Sequence, residues 1–201
     1  MNKRFLYPVE IYEWDFGPCD DIRRLIVKDE SVSKKHHSGI ATTWLKTHRN
    51  PEYARVTTFV QQCLDEIQQE NNFDCDGFAI TSMWGNYFPD GVGMTAHRHA
   101  NSYWSGILYL SEGSPTVFYD PIPQRLAGEF ELYRRPIIKD FHIDQNTRKI
   151  ESVAAKEGKL IIFPSWFVHE TPPSHGNRYS MSFNALPKGD INDGIATIDV
   201  L

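Results

Sequence analysis

The chain has 201 residues, a formal net charge of −5, and 40% hydrophobic and 13% aromatic residues. That length suits one substantial core, so a single domain over residues 1–201 is expected. The acidic balance argues against nucleic acid as a partner, because broad phosphate-backbone binding needs clustered Lys and Arg to displace counterions.

The opening MNKRFLYPVEIYEWDF has no sustained apolar run, and no stretch of the chain is apolar for long enough to cross a bilayer, so neither export nor a membrane partner is expected. Cys19, Cys63 and Cys75 are odd in number and lack CxxC spacing, which predicts reduced thiols and a cytoplasmic setting. FLYPVEIYEWDF reads as a strand. CDDIRRLIVKDESV then repeats apolar residues at helical spacing with Asp20 and Asp21 near its start. PEYARVTTFVQQCLDEIQQENN is a stronger helix: Pro51 suits the first turn, and Tyr53, Val56, Phe59, Val60, Cys63, Leu64 and Ile67 form an apolar stripe.

From Asp74 the chain changes to short β-prone runs separated by Gly, Pro, Asn and Asp: FAITSMW, SGILYL, TVFYD, IIKDFHI, KIESVAA, KLIIF, WFVHE, RYSMSFNAL and IATIDV. Strands without intervening helices predict a mainly β fold, a sandwich or jelly roll, with the N-terminal helices as a brace. The brace is expected at about 18–72 and the β core at about 74–200. DPIPQRLAGEFELYRRP reads as a long surface excursion able to act as a lid.

The candidate chemistry starts at AHRHANSYWSG. If this segment is extended, His97 and His99 lie on one strand face and could converge on one point. EGKLIIFPSWFVHETPPSHGNRYSMSFNAL adds His169, then Arg178, then Ser180 on the same strand face as Arg178. Three ligands with open positions suit a non-haem Fe(II) site, for which imidazole and carboxylate are appropriate donors. An Arg nearby matches the far carboxylate of a dicarboxylic cosubstrate, because its fork accepts a carboxylate bidentately.

The ordered set NYFPDGVGMTAHRH, SGILYL, FPSWFVHE and NRYSMSFN resembles the Fe(II)/2-oxoglutarate-dependent oxygenase superfamily. The resemblance is strongest to a little-characterised branch met in phage and marine bacterial genomes, and it covers roughly residues 78–186. It implies a double-stranded β-helix (jelly-roll) core, Fe(II) as metal, 2-oxoglutarate as cosubstrate, and hydroxylation of a substrate with release of succinate and CO2. The cell would be a bacterium or a phage-infected host. Carried over residue by residue, His97 matches the first metal ligand and His169 the distal one. Arg178 matches the arginine that anchors the cosubstrate's far carboxylate, with Ser180 as its hydroxyl partner. Asn86 and Tyr109 stand where relatives often place further cosubstrate contacts.

The chain departs from the family at His99, where the usual second ligand is Asp or Glu. Both His99 and Asp120, on the TVFYDP run, are candidates to complete the triad; alternation along a strand favours His99. Trp84, Tyr103, Trp104 and Trp166 lie near the motifs in sequence and are candidates to line a substrate pocket, with sandwich core as the other reading. An aromatic mouth would suit a peptide side chain, a nucleobase or a hydrophobic metabolite, with a small molecule or peptide the expected substrate.

Three alternatives remain open on sequence. A cupin-type metal enzyme not using 2-oxoglutarate shares the barrel, but Arg178 and Ser180 have no counterpart there. A jelly-roll binding module would have no turnover. Nucleic-acid dealkylation is suggested by the Asn, Tyr, Pro and Gly residues before the histidines, and the acidic charge weighs against it.

Overall fold

The computed structural model describes residues 9–29, 39–119, 149–191 and 194–200. In chain order the elements are β1 (Tyr12–Asp15), α1 (Asp20–Lys28), β2 (Ala41–Thr42), α2 (Ala54–Asn71), β3 (Phe78–Phe88), β4 (Met94–His97), β5 (Trp104–Tyr109) and β6 (Gly113–Tyr119). They continue as β7 (Lys149–Ala155), β8 (Lys159–Pro164), β9 (His169–Thr171), β10 (Arg178–Pro187), β11 (Gly189–Ile191) and β12 (Ala196–Ile198). The expected IIKDFHI strand, the excursion starting at Asp120, and Asp120 itself lie outside the described residues.

Both helices form where the apolar spacing places them. α1 begins on Asp20 and Asp21 and ends on Lys28, charges that oppose its dipole, and it buries Ile22 and Ile26. Before α2, the Asn50 side chain accepts the Glu52 N–H at 3.0 Å and Pro51 opens a single 3-10 turn. The α2 stripe of Val56, Val60, Cys63, Leu64 and Ile67 is buried, and the helix stops at Asn72, whose left-handed backbone suits a C-terminal cap.

The strands form two antiparallel sheets, in the order β1-β8-β5-β10-β3-β2 and β4-β9-β6-β7, while β11 and β12 pair as a separate hairpin. Two apolar layers follow from strand alternation. One face of the large sheet, with Trp104 and Leu108, Leu160 and Ile162, and Met181, Phe183 and Ala185, packs on the two helices. The opposite face, with Ile107, Tyr109, Ile161 and Phe163, meets Phe118, Val153 and Ala155 of the small sheet. The molecule is thus mainly β, a jelly roll with helices bracing one side.

The expected boundary near residue 74 does not separate brace from core. β1 pairs with β8, and β2 pairs with β3, so segments ahead of that boundary supply both edges of the large sheet. Recruiting them gives partners to backbone groups that β8 and β3 would otherwise expose.

One irregularity positions the site. Opposite β10, Asn184 pairs with Ser82 but Ala185 pairs with Ile80, which leaves Thr81 as an extra residue in β3. The bulge inverts the facing of everything after it. Phe78 and Ile80 pack toward the helices, and so do Met83 and Gly85 beyond the bulge. Trp84, Asn86 and Phe88 therefore turn into the space between the sheets. Gly85 has a role of its own: a Cβ there would lie 2.5 Å from Ile26, so its absence lets α1 settle on the sheet.

Candidate metal centre

β4 and β9 are antiparallel neighbours whose register sets His97 directly opposite His169. His97 is the last residue of β4, so strand alternation ends there and cannot aim His99. His99 converges by another route: its backbone N–H donates to the Ser165 carbonyl at 2.9 Å, hanging the loop on the turn between β8 and β9. That turn, closed by the Phe167 N–H on the Pro164 carbonyl, occupies most of the segment expected to be a WFVHE strand; only His169–Thr171 is extended.

The three rings face one another, with centroids 4.4 Å apart for His97 and His169 and 5.2 Å for each pair containing His99. One candidate ligand atom from each lies within 4.8 Å of the others. The Nδ1 atoms of His97 and His169 sit 2.8 Å and 2.9 Å from the carbonyls of Thr95 and Phe167. A carbonyl only accepts, so each Nδ1 carries the hydrogen and each Nε2 keeps its lone pair for a metal. Burial, then the adjacent His97, push the His169 imidazole down to about 3 and that of His99 down to about 4, so both are neutral donors at pH 7.

Arg178 stands on β10 with Phe88 of β3 as its cross-strand partner. It is 1% exposed, and no carboxylate pairs with it among the described residues. Its Nε donates to the Ser114 carbonyl at 3.1 Å and its Nη1 to Ser180 Oγ at 3.3 Å, while Nη2 has no partner among the described residues. The guanidinium lies 4.8 Å from the Phe88 ring centroid and 5.3 Å from that of Tyr109. Burial lowers it to about 10, which leaves it a cation at neutral pH.

The three imidazoles, Arg178, Ser180 and Asn86 line one cavity. Asn86 and Tyr109 flank Ser180 on the two neighbouring strands. Asn86 donates to Ser182 Oγ at 3.0 Å, whereas Tyr109 is fully buried beside Arg178 with its hydroxyl donating to Thr116 Oγ1 at 2.7 Å. Of the four aromatic candidates, Trp84 lines the cavity and stacks on His99. The other three do not. Trp104 is in the helix-side core with Phe73 and Phe78, Tyr103 packs on that same pair, and Trp166 is half exposed against Phe167. The parity of β5 explains Trp104, since it shares a face with Leu108 rather than with Ser105 and Ile107.

Sequence reasoning passed over Ser105 and Ser182, which line the cavity with the histidines, and Asn184, which hydrogen-bonds Ser105. A signal for two of them exists in β10: Arg178, Ser180, Ser182 and Asn184 are polar at every second position of a central strand, which marks a face turned to something other than packed hydrocarbon. Three neutral nitrogen donors suit a first-row divalent metal, and a buried cation in the same cavity suits an anionic group of a second ligand.

No curated protein matches the chain. Among solved structures, a Pseudomonas putida prolyl-4-hydroxylase superposes with a TM-score of 0.57 at 17% identity, over 90% of this chain and 94% of that one. HygX from Streptomyces hygroscopicus, solved with nickel and 2-oxoglutarate bound, gives 0.58 at 12% identity over 96% and 93%. The non-heme alpha-ketoglutarate-dependent epimerase SnoN from nogalamycin biosynthesis gives 0.61 at 11% over 96% and 88%. At such identities the likeness is one of fold. The sequence itself matches, over residues 82–184, the family described as "Putative 2OG-Fe(II) oxygenase", a stretch that holds the three histidines and Arg178 and spans just over half of the chain. The chain belongs to this family and is a 2OG-Fe(II) oxygenase.

Proposed function

We propose that this oxygenase holds Fe(II) on His97, His99 and His169, anchors 2-oxoglutarate on Arg178 and Ser180, and hydroxylates a small-molecule or peptide substrate with release of succinate and CO2. The observation that carries the reading is the free Nη2 of Arg178, a buried cationic donor with no partner among the described residues, in the cavity where three imidazoles converge. An unsatisfied buried donor costs about 1–3 kcal/mol, more when charged, and a carboxylate bridging Nη2 and the Ser180 hydroxyl would remove that cost.

When bound, Fe(II) with 2-oxoglutarate supplies oxygen activation coupled to decarboxylation of the cosubstrate. The chain's own residues prepare for it in three ways. The Thr95 and Phe167 carbonyls fix the His97 and His169 tautomers, so each neutral ring presents its Nε2 to a metal. Tyr109 and Phe88 hold the guanidinium plane between aromatic faces, and the Ser114 carbonyl fixes its Nε edge, so the remaining edge is the one offered to a carboxylate. Ile107, Phe163 and Trp84 supply apolar wall, which limits water around the reacting atoms. Three neutral ligands also leave the full metal charge to attract a dianionic cosubstrate.

Anaerobic addition of Fe(II) and 2-oxoglutarate to the purified protein tests the reading. A weak visible charge-transfer band is expected, and it must be absent without either component. Its failure to form would indicate a binding module or a metal enzyme with another cosubstrate. Succinate release measured against libraries of peptides, metabolites and nucleotides then identifies the substrate.

A further inference from the structure

We infer that the turn joining β5 to β6 aims Arg178: Gly113, by having no side chain, and Ser114, through its carbonyl, are positioning residues that hold the guanidinium for a distal carboxylate and so set a preference for a dicarboxylic over a monocarboxylic 2-oxo acid. The inference rests on the cosubstrate reading above and concerns what keeps the arginine in place.

Arg178 is the first residue of β10, and strand pairing supports it on one side only. It faces Phe88 of β3, whereas the ladder to β5 starts further along, at Ser180 opposite Tyr109. On the β5 side the chain beyond Tyr109 takes over. The Leu110 N–H donates to the Tyr179 carbonyl at 3.0 Å, and the Tyr179 N–H donates to Ser111 Oγ at 2.9 Å. The Ser114 carbonyl then accepts the Arg178 Nε–H at 3.1 Å, so one turn grips the start of β10 at both backbone and guanidinium. Ser114 is itself anchored, its hydroxyl donating to the Pro173 carbonyl at 2.8 Å.

Gly113 permits this grip by letting the arginine stem lie against the turn. A Cβ at Gly113 would stand 3.1 Å from Arg178 Cβ, 3.2 Å from its Cγ and 3.2 Å from Ser174 Oγ, and the backbone there has a φ of +146°, which L side chains rarely adopt. Those neighbours have little room to yield. Arg178 Cβ is set by a central strand, its guanidinium lies over the Phe88 and Tyr109 rings, and Arg178 and Ser174 are both buried. Gly113 is exposed, so a side chain added there displaces the turn, and the Ser114 carbonyl moves with it. Without that acceptor the guanidinium is free to rotate about its stem. Orientation matters because a carboxylate pairs bidentately with a guanidinium only along an edge whose two N–H groups lie in its plane. A 2-oxo acid with no far carboxylate does not sense the change.

The test titrates 2-oxoglutarate, and 2-oxopentanoate with a methyl in place of the far carboxylate, into Mn(II)-loaded wild type, Gly113→Ala, Ser114→Ala, Gly17→Ala and Arg178→Met. Gly113→Ala should lose about tenfold or more in 2-oxoglutarate affinity, the worth of one charge-assisted hydrogen bond, while 2-oxopentanoate stays within about threefold of wild type. Ser114→Ala keeps the carbonyl but unties it from Pro173, and should lose the same selectivity by a smaller factor, about threefold. Gly17→Ala, at a positive-φ glycine with open space around it, should change neither affinity. Unchanged selectivity in a folded Gly113→Ala protein overturns the inference. So does an equal loss for both acids, which marks general damage, or a matching loss in Gly17→Ala, which marks backbone strain alone. Unchanged selectivity in Ser114→Ala overturns it as well, and that readout stands even if Gly113→Ala does not fold. If Arg178→Met keeps the wild-type preference for 2-oxoglutarate, the cosubstrate reading itself is wrong; if it loses that preference while the Gly113 and Ser114 variants keep it, only the positioning role fails.

Discussion

Replacing Arg178 with Met keeps most of the stem that packs on Phe88 and Tyr109 and removes the cation. Burial lowers the guanidinium from its ordinary value to about 10, which at 1.36 kcal/mol per tenfold change is a penalty of about 3 kcal/mol carried by the charged form in the folded state. Because the folded value lies below the unfolded one, that penalty is present at pH 7 and disappears only above about pH 10. A bound carboxylate offsets it; Met abolishes both the penalty and its remedy. The metal-free variant therefore loses little stability, since relief of the penalty balances the unpaired Ser114 carbonyl and Ser180 hydroxyl, at about 1–3 kcal/mol each. Cosubstrate binding does suffer, because a carboxylate would be buried without its charged partner at a cost of about 2–5 kcal/mol, or roughly 30-fold to several thousand-fold in affinity. Calorimetric titration of 2-oxoglutarate into protein loaded with Mn(II), where no turnover occurs, measures this directly. Mn(II) affinity itself should be unchanged, since the Arg178 hydrogen bonds go to Ser114 and Ser180 and to none of the histidines. A 2-oxoglutarate affinity within threefold of wild type would refute the assignment of Arg178 and the reasoning from its unpartnered Nη2.

Three further outcomes are expected. Chelator-treated wild type and His97→Ala should both melt cooperatively by circular dichroism, because the two apolar layers of the jelly roll are built without the histidines; unfolding on chelation would make the site structural. Urea denaturation of the metal-free protein should show stability that is complete above pH 6.5 and declines as the pH falls toward 4 and then 3, since unfolded imidazoles take up protons near 6.5 while His99 and His169 resist until about 4 and about 3; a midpoint flat across that window would contradict their burial as neutral rings. His99→Asp should retain metal and part of the 2-oxoglutarate decarboxylation, His99→Ala should lose metal, and Asp120→Ala should leave it intact, whereas the reverse pattern for the two alanine variants would make Asp120 the third ligand.

Elements governed by local periodicity were legible: both helices lie where the apolar stripe puts them, and so do the strands at Lys159–Pro164 and Arg178–Pro187. What depends on facing was less so. FAITSMWGNYF contains no Gly, Pro or charge at Thr81 to announce a bulge, yet that single residue decides whether Trp84 and Asn86 face the helices or the cavity. β5 is buried on both faces, so WSGILY shows no alternation from which to tell that Trp104 belongs to the helix-side core. Proximity in sequence to His99 was a poor guide for Tyr103 and Trp166 as well, because the loop and the turn that carry them point those rings away from the site. His99 itself does converge with His97, but through the Ser165 carbonyl, a long-range hydrogen bond that the spacing of two histidines does not encode.

Desolvation links the two halves of the cavity. Withdrawn from water, His99 and His169 give up their protons and become donors for a metal, while Arg178, whose basicity is far higher, withstands the same loss of solvent and stays charged. One environment thus produces neutral ligands at one end and an unsatisfied cation at the other. A carboxylate in place of His99 would add an anion to this shared cavity and draw on the field of Arg178 in the metal-free state. An imidazole cannot, so the charge of Arg178 remains available to an incoming carboxylate, and the third ligand is held instead through its own backbone N–H on the Ser165 carbonyl.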